Sequence, residues 1–526
     1  MTCRRAWRHI VAAWIVVTAL TTVPYLYGLS VFPQPDHFVG FTYNIDDACV
    51  YLTWINQARD GHFLIRNLYT TEPQRLLPFN LLFLAMGLFS RLTTLSPTLT
   101  YHLWRVALIL VTLFALWRLC RALDREDLAP AAIWLASLSS GLGWLVRIGT
   151  SINRPVDLWQ PEAITFLSAY LNPLFLTGIA LMLWASGGLV RAVRENRASP
   201  ALGAGAALLL LANIHTYDLL TVGLAWALYA ITLICWDRAR GRRAVKWGLA
   251  AAAISLPTVA YQVLLYAREP VYRLRAQTPA ESPAIWFFLI GYGLLLAPAA
   301  VGAVRGIRNS DSSTVFLTAW ALAGFAAVYL PLAQQRKLIM GTHIPLCALA
   351  ADALVPAIAR VKAVRPAFVW ALALAVLLPS NLLFLRKDLS LLSIGQTAPL
   401  FPPALTKDEV DVMRCLARSA GPDDVVLAQP NLALFVPALA GKRVYFGHWS
   451  ETVDYQEKFD QWLTFADVST ADAWRERFLR DEGVTLVVQN LQTGRIGQRT
   501  LGGPISPHVA AEVYRSGQLA VYRVPD

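Results

Sequence analysis

Long apolar runs separated by short polar stretches occupy roughly the first 390 residues of the chain. A helix needs about 20 apolar residues to cross the ~30 Å hydrocarbon core of a membrane. The first run could also belong to a cleaved signal peptide, but it has no clear cleavage site. The fifth run is short and continuous with the sixth, so these two could form one long helix. The pattern predicts about eleven spans, at 10–31, 101–120, 128–147, 164–190, 201–214, 217–236, 247–267, 284–304, 314–333, 338–359 and 367–385.

The orientation of these spans follows from lysine and arginine, which are enriched in cytoplasmic loops. Basic clusters occur at 4–8, 118–125, 191–197, 238–246, 305–308 and 360–365. All of them are cytoplasmic if the eleven runs cross the membrane and a further apolar run, at 76–90, does not. The sequence therefore predicts a cytoplasmic N-terminus, an external C-terminus and a first external loop, 32–100, in which 76–90 is a juxtamembrane helix.

The pattern changes after about residue 381, where short alternating segments replace the long apolar runs. Residues 407–419 have apolar positions at helical spacing, and Gly421-Pro422 follows them as a stop signal. Short strands are predicted at 425–428 and 444–446, and the segments VTLVVQN and LAVYRV add two more. We therefore predict a polytopic α-helical membrane domain over 1–390 and a small extracytoplasmic α/β domain over 391–526.

Composition is typical of a membrane protein. Hydrophobic residues make up 56% of the 526 residues and charged residues only 15%, whereas soluble proteins carry about 25% charged residues. The net charge is +12, yet the chain after residue 400 has 13 Lys or Arg and 16 Asp or Glu. The basic excess thus lies between the apolar runs, not in a stripe interleaved with aromatic residues, so no nucleic-acid partner is expected. The six cysteines show no metal-binding spacing.

Two adjacent carboxylates, Asp46 and Asp47, open the first external loop close to the membrane. A carboxylate near a bilayer is costly to desolvate and is usually functional. It could accept a proton as a general base, or bind Mg²⁺ or Mn²⁺. Alternatively, Asp46 or Asn44 could cap a helix that runs through Val50 and Trp54. Both interpretations stay open, because the start of a helix holds a carboxylate firmly.

A pair of cations, Arg336 and Lys337, precedes a predicted span on its external side. Cations at this position oppose the usual charge bias, which suggests that they bind an anion such as a phosphate at the membrane surface. Alternatively, they could contact lipid headgroups by snorkelling. His343 follows in the same predicted helix, where a lone histidine is more often packed than catalytic.

Further candidates lie in the other external segments. The loop 148–163 and the start of the next helix contain Arg154, Asp157 and Glu162. These charges could pair with one another, or Glu162 could face the aspartates as a metal ligand. His215 and Asp218 occupy a polar break between two apolar runs, where ionisable groups are functional candidates.

Three weaker candidates complete the set. Glu72 and Arg75 could line the same cleft as the aspartates, and the charged stretch 268–275 could act as a lid. The polar and aromatic stretch YFGHWSETVDYQEK could border a cleft. For that stretch, a strand end followed by a loop is the favoured interpretation.

These features resemble the GT-C superfamily of multi-pass glycosyltransferases, which use polyprenyl-phosphate-linked sugars. In its family-39-like and arabinosyltransferase-like members, an acidic pair is followed by an aromatic residue and a glycine-containing element, as in Asp46-Asp47, Tyr51 and Gly61-His62-Phe63. The resemblance covers roughly 10–390. Here the pair is Asp-Asp instead of the commoner Asp-Glu, and Tyr51 comes one residue late. The chain has no WWDxG sequence, which argues against N-linked protein transfer and leaves the acceptor open.

The resemblance implies that Asp46 or Asp47 is the catalytic base or a metal ligand, with Mg²⁺ or Mn²⁺ as the metal. It also implies that Arg336 and Lys337, together with Arg154, bind the donor phosphate. The expected function is inverting transfer of a sugar from a polyprenyl-phosphate donor to a glycan, lipid or protein acceptor. The expected location is a bacterial plasma membrane with the active site outside. A transporter or flippase for a lipid-linked glycan is the alternative, although no internal repeat supports it.

Overall fold

A computed structural model describes residues 3–32, 37–146, 148–150, 152–361, 365–397 and 401–525. Parts of the predicted loop 148–163 and of the basic stretch 360–365 lie outside these ranges. The chain forms two compact units. The first unit contains Met1–Val23, Tyr101–Leu264 and Ala276–Lys387, and the second contains Pro24–Thr100, Leu265–Arg275 and Asp388–Asp526.

Helices dominate the described part of the chain. In order, they are α1 (Cys3–Val31), α2 (Ile45–Arg59), α3 (Leu81–Thr93), α4 (Pro97–Ala122), α5 (Ala129–Leu138), α6 (Thr165–Leu171), α7 (Pro173–Glu195), α8 (Ala198–Ile214), α9 (Asp218–Trp236), α10 (Arg238–Arg268), α11 (Pro270–Ala276), α12 (Ile285–Tyr292), α13 (Leu296–Arg308), α14 (Ser312–Ala327), α15 (His343–Arg360), α16 (Pro366–Leu377), α17 (Pro379–Ser393), α18 (Lys407–Ser419), α19 (Pro430–Ala433), α20 (Tyr455–Ala466) and α21 (Asp472–Asp481).

Seven helical segments of the described chain are long and apolar enough to cross a membrane. They are Ala6–Val31, Pro97–Ala122, Pro173–Glu195, Asp218–Trp236, Arg238–Arg268, Ile285–Arg308 and Gln335–Arg360. Helices α16 and α17 are bent by 48° where they meet, and as one span they would make eight. Pro379 begins α17 and has no backbone N–H to continue α16, which accounts for the bend.

The predicted count of eleven spans is not confirmed. The apolar runs at 128–147, 201–214 and 314–333 form the shorter helices α5, α8 and α14. Helix α5 ends because the backbone becomes extended at Ser139, with ψ 148°. Beyond it, the amides of Gly141 and Gly143 each donate to Asp157 Oδ2 at 3.1 Å instead of continuing the helix. Helices α8 and α9 are separate, so the single long helix does not form.

In the second unit, a mixed sheet carries the core of the C-terminal segment. The strands of the described chain are β1 (His37–Phe38), β2 (Ala404–Leu405), β3 (Val425–Leu427), β4 (Arg443–Val444), β5 (Leu486–Asn490), β6 (Gly494–Ile496), β7 (Arg499–Leu501), β8 (Ala511–Ser516) and β9 (Leu519–Arg523). Five of them pair in the order β4-β3-β5-β9-β8. Strand β3 pairs in parallel with β4 and β5, whereas β9 is antiparallel to both of its neighbours.

Sequence patterns explain the elements of this C-terminal segment. Helix α18 begins and ends where the pattern predicts, and Thr406 and Glu409 form a capping box at its start. Strand β5 is buried on both faces along Leu486–Gln489, as its continuous apolar run predicts. Aromatic side chains from helices α20 and α21, including Trp462 and Phe478, pack with this sheet in one core. The assignment of 391–526 to a separate external domain stays a prediction.

Helices α2 and α3, both within the stretch 32–100, pack closely against each other. Phe83 stacks on Tyr51 with ring centroids 5.1 Å apart and meets Trp54 edge-on at 5.0 Å. A Cβ at Gly87 would lie 2.4 Å from Ala58 Cβ, so this close approach requires glycine. The apolar run predicted at 76–90 thus forms a helix shifted by a few residues, and its position in the membrane interface stays a prediction.

Candidate active site

The aspartate pair lies in the first turn of helix α2, in the second unit. Asn44 occupies the N-cap position in a left-handed conformation, with φ 53°, but its side chain makes no capping hydrogen bond. Its Nδ2 donates instead to Asp47 Oδ2 at 2.5 Å. The helix predicted there is confirmed, and neither aspartate is its cap. The N-terminal end of a helix favours negative charge at this place.

Two residues from the C-terminal segment complete this group, which we call the acidic cluster: Asp46, Asp47, His448 and Trp449. Trp449 Nε1 donates to Asp46 Oδ2 at 3.0 Å. His448 Nε2 lies 3.9 Å from Asp46 Oδ2 and 3.7 Å from Asp47 Oδ1. The His448 side chain is fully buried. The cluster therefore brings a hydrogen-bond donor and an imidazole to the carboxylates.

The tautomer of His448 follows from its other nitrogen. Nδ1 accepts hydrogen bonds from the amides of Ser450, at 3.1 Å, and Glu451, at 3.3 Å. A nitrogen that accepts carries no proton, so the neutral ring holds its proton on Nε2. Burial lowers the pKa of His448, but the carboxylates of Asp47 and Asp46 raise it by a larger amount. The net shift of the His448 pKa is therefore upward. In either state, Nε2 presents an N–H to the carboxylates.

The two aspartates differ in exposure and in charge stabilisation. The Asp46 side chain is 5% exposed, whereas that of Asp47 is 44% exposed. Within the described structure, Asp46 Oδ1 is buried without a hydrogen-bond partner. Burial raises the pKa of Asp46, and the neighbouring charge of Asp47 raises it again, against the opposite effects of His448 and Trp449. The net shift of the Asp46 pKa is therefore upward, which favours uptake of a proton by this carboxylate.

A divalent cation is compatible with part of this arrangement. Mg²⁺ is commonly held by one or two carboxylates together with substrate phosphates, and the orphaned Asp46 Oδ1 could serve as one such ligand. No group of three or more His, Cys, Asp or Glu side chains among the described residues has the geometry of a metal site.

A second set of contacts in the same unit surrounds the acidic cluster. Arg275 Nε pairs with Glu451 Oε1 at 2.6 Å, and the Arg275 guanidinium lies 5.1 Å from the ring centroid of Trp54. Asn67 Nδ2 donates to the Glu451 carbonyl at 2.8 Å. The charged stretch 268–275 is thus partly helical, and its last residue is held by an ion pair. Its action as a lid stays a prediction.

In the first unit, three cations gather around two aromatic rings, and we call this group the cationic cluster: Arg154, Trp159, Tyr217, Arg336 and Lys337. A 3₁₀ turn, Gln335–Ile339, carries Arg336 and Lys337. The guanidinium carbons of Arg336 and Arg154 lie 5.2 Å and 5.9 Å from the centroid of Trp159. Lys337 Nζ lies 6.0 Å from the ring of Tyr217.

Residues of the polar break predicted at 215–218 form hydrogen bonds to Tyr217 of this cluster and to one another. The Tyr217 hydroxyl and His215 Nε2 are hydrogen-bonded at 2.7 Å, and His215 Nδ1 and Asp218 Oδ2 at 2.7 Å. The Asp218 side chain is fully buried. Neither Arg336 nor Lys337 forms an ion pair with a carboxylate of the described residues. Their positive charge is therefore available to an anion.

The sequence matches no protein-family model and no curated protein. Solved structures nevertheless share its architecture. The archaeal oligosaccharyltransferase AglB from Archaeoglobus fulgidus, in complex with an inhibitory peptide and a dolichol-phosphate, has a TM-score of 0.57 at 11% identity, over 93% of this chain and 70% of that chain. ArnT from Cupriavidus metallidurans, bound to undecaprenyl phosphate, has a TM-score of 0.53 at 14% identity, over 97% of both chains.

This chain has the GT-C fold. The resemblance predicted from the sequence is confirmed at the level of the fold, because these neighbours are GT-C glycosyltransferases. Several apolar helices together with this fold indicate a multi-pass membrane protein. A further AglB structure from Archaeoglobus fulgidus is a complex with Zn and sulfate, at a TM-score of 0.54, 11% identity and coverage of 91% of this chain and 68% of that chain.

The predicted site residues are divided between the two units. Asp46, Asp47, Glu72 and Arg75 belong to the second unit, whereas Arg154, Glu162, His215, Asp218, Arg336, Lys337 and His343 belong to the first.

The weaker candidates have structural partners in this fold. Glu72 pairs with Lys458 at 2.5 Å, and the amide of Arg75 donates to Glu269 at 2.9 Å. His343 is buried between Ser139, 3.1 Å from its Nε2, and Thr165, 3.0 Å from its Nδ1, as expected for a packed histidine.

The loop acids are buried away from solvent. Glu162 is buried in a 3₁₀ turn, Pro161–Ala163. Asp157 accepts the two glycine amides near the end of α5, and burial raises its pKa to about 6. A metal-ligand role for Glu162 stays a prediction.

Sequence reasoning did not single out His448 and Trp449. They lie in the stretch YFGHWSETVDYQEK, whose polar and aromatic character was the available signal. The favoured interpretation, a strand end with a loop, is correct for the backbone, since β4 ends at Val444. That interpretation gave no reason to connect the stretch with residues 403 positions earlier.

Proposed function

We propose that this chain is an inverting glycosyltransferase that moves a sugar from a polyprenyl-phosphate donor to an acceptor on the extracytoplasmic side of a bacterial plasma membrane. The observation that carries the proposal is Asp46: a buried carboxylate at a helix start, with one orphaned oxygen, a raised pKa, a hydrogen bond from Trp449 to its other oxygen, and the His448 ring nearby. The lipid phosphates bound by AglB and ArnT support the donor class.

The acidic cluster would perform the proton transfer. Asp46 accepts the proton of an acceptor hydroxyl while that oxygen forms its bond to the anomeric carbon of the sugar. The bond between the anomeric carbon and the phosphate oxygen breaks, and its electron pair leaves with the lipid phosphate. A single displacement of this kind inverts the anomeric configuration. The hydrogen bond from Trp449 holds the Asp46 carboxylate in place during the transfer, and the His448 imidazole lies 3.9 Å from it.

The cationic cluster would stabilise the leaving phosphate. Arg336 and Arg154 offer planar guanidinium groups and Lys337 a point charge, and these suit the phosphate oxygens of a lipid carrier. As the anomeric bond breaks, charge grows on those oxygens, and preorganised cations lower the barrier. The proposal requires the acidic and cationic clusters to face the same bound donor. A divalent cation held by Asp46 and Asp47 would supply further charge neutralisation when bound.

The finer topology belongs to the same proposal. About eleven spans with a cytoplasmic N-terminus, and an external α/β domain over 391–526, would leave both the first loop and the C-terminal segment on the acceptor side. The acceptor, a glycan, lipid or protein, would enter from that side, and the donor's lipid tail would remain in the bilayer. The neighbours are similar over nearly the whole chain, which is consistent with this arrangement.

The test is formation of a glycosidic bond by the purified chain in proteoliposomes. A panel of radiolabelled sugar polyprenyl phosphates is supplied with candidate acceptors, with and without a chelator. The double variant Asp46→Asn/Asp47→Asn should lose transfer while it remains folded, and Asp60→Asn, an exposed acid at the end of the same helix, should not. Full transfer by the double variant would refute the assignment. Movement of the lipid-linked glycan across the membrane without a new glycosidic bond would support the transporter alternative.

A further inference from the structure

A large cavity lies in the first unit, and none of its lining residues belongs to either cluster described above. It has a volume of about 780 Å³ and is lined by residues of α1, α4, α7 and α8. Pockets that hold a drug-sized ligand have volumes of about 300–1,000 Å³. The cavity is therefore much larger than a single inorganic phosphate requires, and its lining decides what it can hold.

Arginines outnumber acids in the lining, and one of them has no acidic partner in the described chain. Four arginines, Arg118, Arg121, Arg191 and Arg194, face the cavity with one acid, Glu195. Arg191 pairs with Glu195 at 3.0 Å. Arg194 pairs with Asp124 at 2.5 Å, and Arg121 with Glu126 at 3.1 Å. Arg118 forms no ion pair with any acid in the part of the chain that the structure describes. This surplus favours an anionic ligand.

The walls beside these arginines are aromatic. Trp7 and Phe114 stack with their ring centroids 5.5 Å apart. The Arg118 guanidinium lies over the ring of Trp184, 4.0 Å from its centroid, and Trp184 is 38% exposed. Stacking fixes the direction of the guanidinium and leaves its N–H groups for a ligand. Tryptophan with arginine is the combination typical of the boundary between lipid tails and headgroups.

Helix α8 separates this cavity from the cationic cluster. Ser199 and Pro200, at the start of α8, line the cavity, whereas His215 follows the end of α8 and bonds to Tyr217 of the cationic cluster. The 17 residues of α8 span about 25 Å at 1.5 Å per residue. The two sites thus lie at opposite ends of one helix. The basic stretches 118–125 and 191–197 are the ones predicted to be cytoplasmic.

We propose that this cavity binds the headgroup of an anionic phospholipid from the leaflet opposite the catalytic side. The phosphodiester lies against Arg118 and Arg191, and the acyl chains leave along the aromatic wall of Trp7 and Trp184. Basic pockets between membrane helices on the cytoplasmic side are known to bind such headgroups. The site is independent of the proposed transfer reaction, because none of its residues belongs to the acidic or cationic cluster.

Native mass spectrometry of the detergent-purified full chain tests this proposal. The protein is titrated with dioleoyl phosphatidylglycerol, with dioleoyl phosphatidylcholine at the same concentrations, and with inorganic phosphate as a competitor. We expect phosphatidylglycerol to be retained preferentially and not to be displaced by millimolar phosphate. Arg118→Gln should weaken retention about fivefold and Arg118→Gln/Arg191→Gln by roughly 25-fold, whereas Arg118→Lys should keep most of it.

The control is Arg308→Gln, which removes an exposed arginine from another predicted cytoplasmic segment outside the cavity. Equal retention of the two lipids would overturn the proposal, as would equal losses in Arg118→Gln and Arg308→Gln. Displacement by inorganic phosphate alone would assign the cavity to a free anion instead. The melting temperature of each variant is measured in parallel, and Arg118→Lys provides the comparison if Arg118→Gln does not fold.

Discussion

The acidic cluster positions a negative charge and the cationic cluster positions positive charges, and both do so with few direct ion pairs. In the acidic cluster, Asp46 is buried, and one of its oxygens has no partner within the described structure. In the cationic cluster, Arg336 is placed by a stack on Trp159 and by Gln160, which donates to its backbone carbonyl at 2.8 Å, and not by a carboxylate. Each cluster therefore orients a charged group without neutralising it.

The two clusters differ in how their surroundings affect the charge of the positioned group. A buried carboxylate without full compensation shifts its pKa upward and becomes ready to take a proton. A cation stacked on an aromatic ring at a partly open position keeps its charge and can still bind an anion. Under the proposed function, burial prepares the first cluster for proton transfer, and stacking at a half-buried position prepares the second for anion binding.

The largest expected effect separates the two aspartates. Asp46→Asn should lower kcat about 10³-fold, because a general base typically contributes 10²–10⁴-fold. Asp47→Asn should cost only about tenfold, since its exposed side chain acts on Asp46 through charge. Initial rates of labelled sugar transfer at saturating donor measure both variants. Equal losses in the two variants would break the distinction between a buried base and an exposed neighbour.

The next effect belongs to the cationic cluster and should appear in donor binding. Arg336→Gln should raise the KM for the donor about 10- to 100-fold, because a hydrogen bond to a charged group contributes ~1.5–3 kcal/mol. Arg336→Lys should recover part of this but not the stack on Trp159. The matched control is Arg495→Gln, in the exposed hairpin β6–β7. A loss in kcat with unchanged KM would instead place Arg336 in the chemical step.

The sequence predicts these two clusters unequally. The helix after Asp46 follows from the local apolar pattern, and Arg336 and Lys337 stand out because they oppose the charge bias along the chain. The contact of Trp449 with Asp46 joins positions 403 residues apart. Such a contact depends on tertiary packing and leaves no periodic signal. The same reason explains α5, which is shortened because a side chain from Asp157 captures the amides that would extend it.

The free energy of unfolding should distinguish a cation with a carboxylate partner from a cation stacked on a ring. In the second unit, Arg275 forms an ion pair with the buried Glu451 at 2.6 Å. Arg275→Gln should lower the free energy of unfolding by about 1–3 kcal/mol, because it leaves a buried charge without its hydrogen bond. Arg336→Gln should change it by less than about 0.5 kcal/mol. Denaturant titration in detergent measures both, and a similar loss in the two variants would show that Arg336 is structural.

The smallest effect is a shift of the pH profile, and its direction identifies the base. Transfer requires ionised Asp46, so kcat falls as the pH falls through its pKa, and the raised pKa of Asp46 moves that fall above the range of an ordinary aspartate. Asp47→Asn removes a charge that raises the pKa of Asp46, so the acid limb should move to lower pH. His448→Gln removes an opposing influence and should move it to higher pH. Rates measured between pH 4 and pH 9 decide the matter, because shifts of the two variants in the same direction would mean that the titrating base is not Asp46.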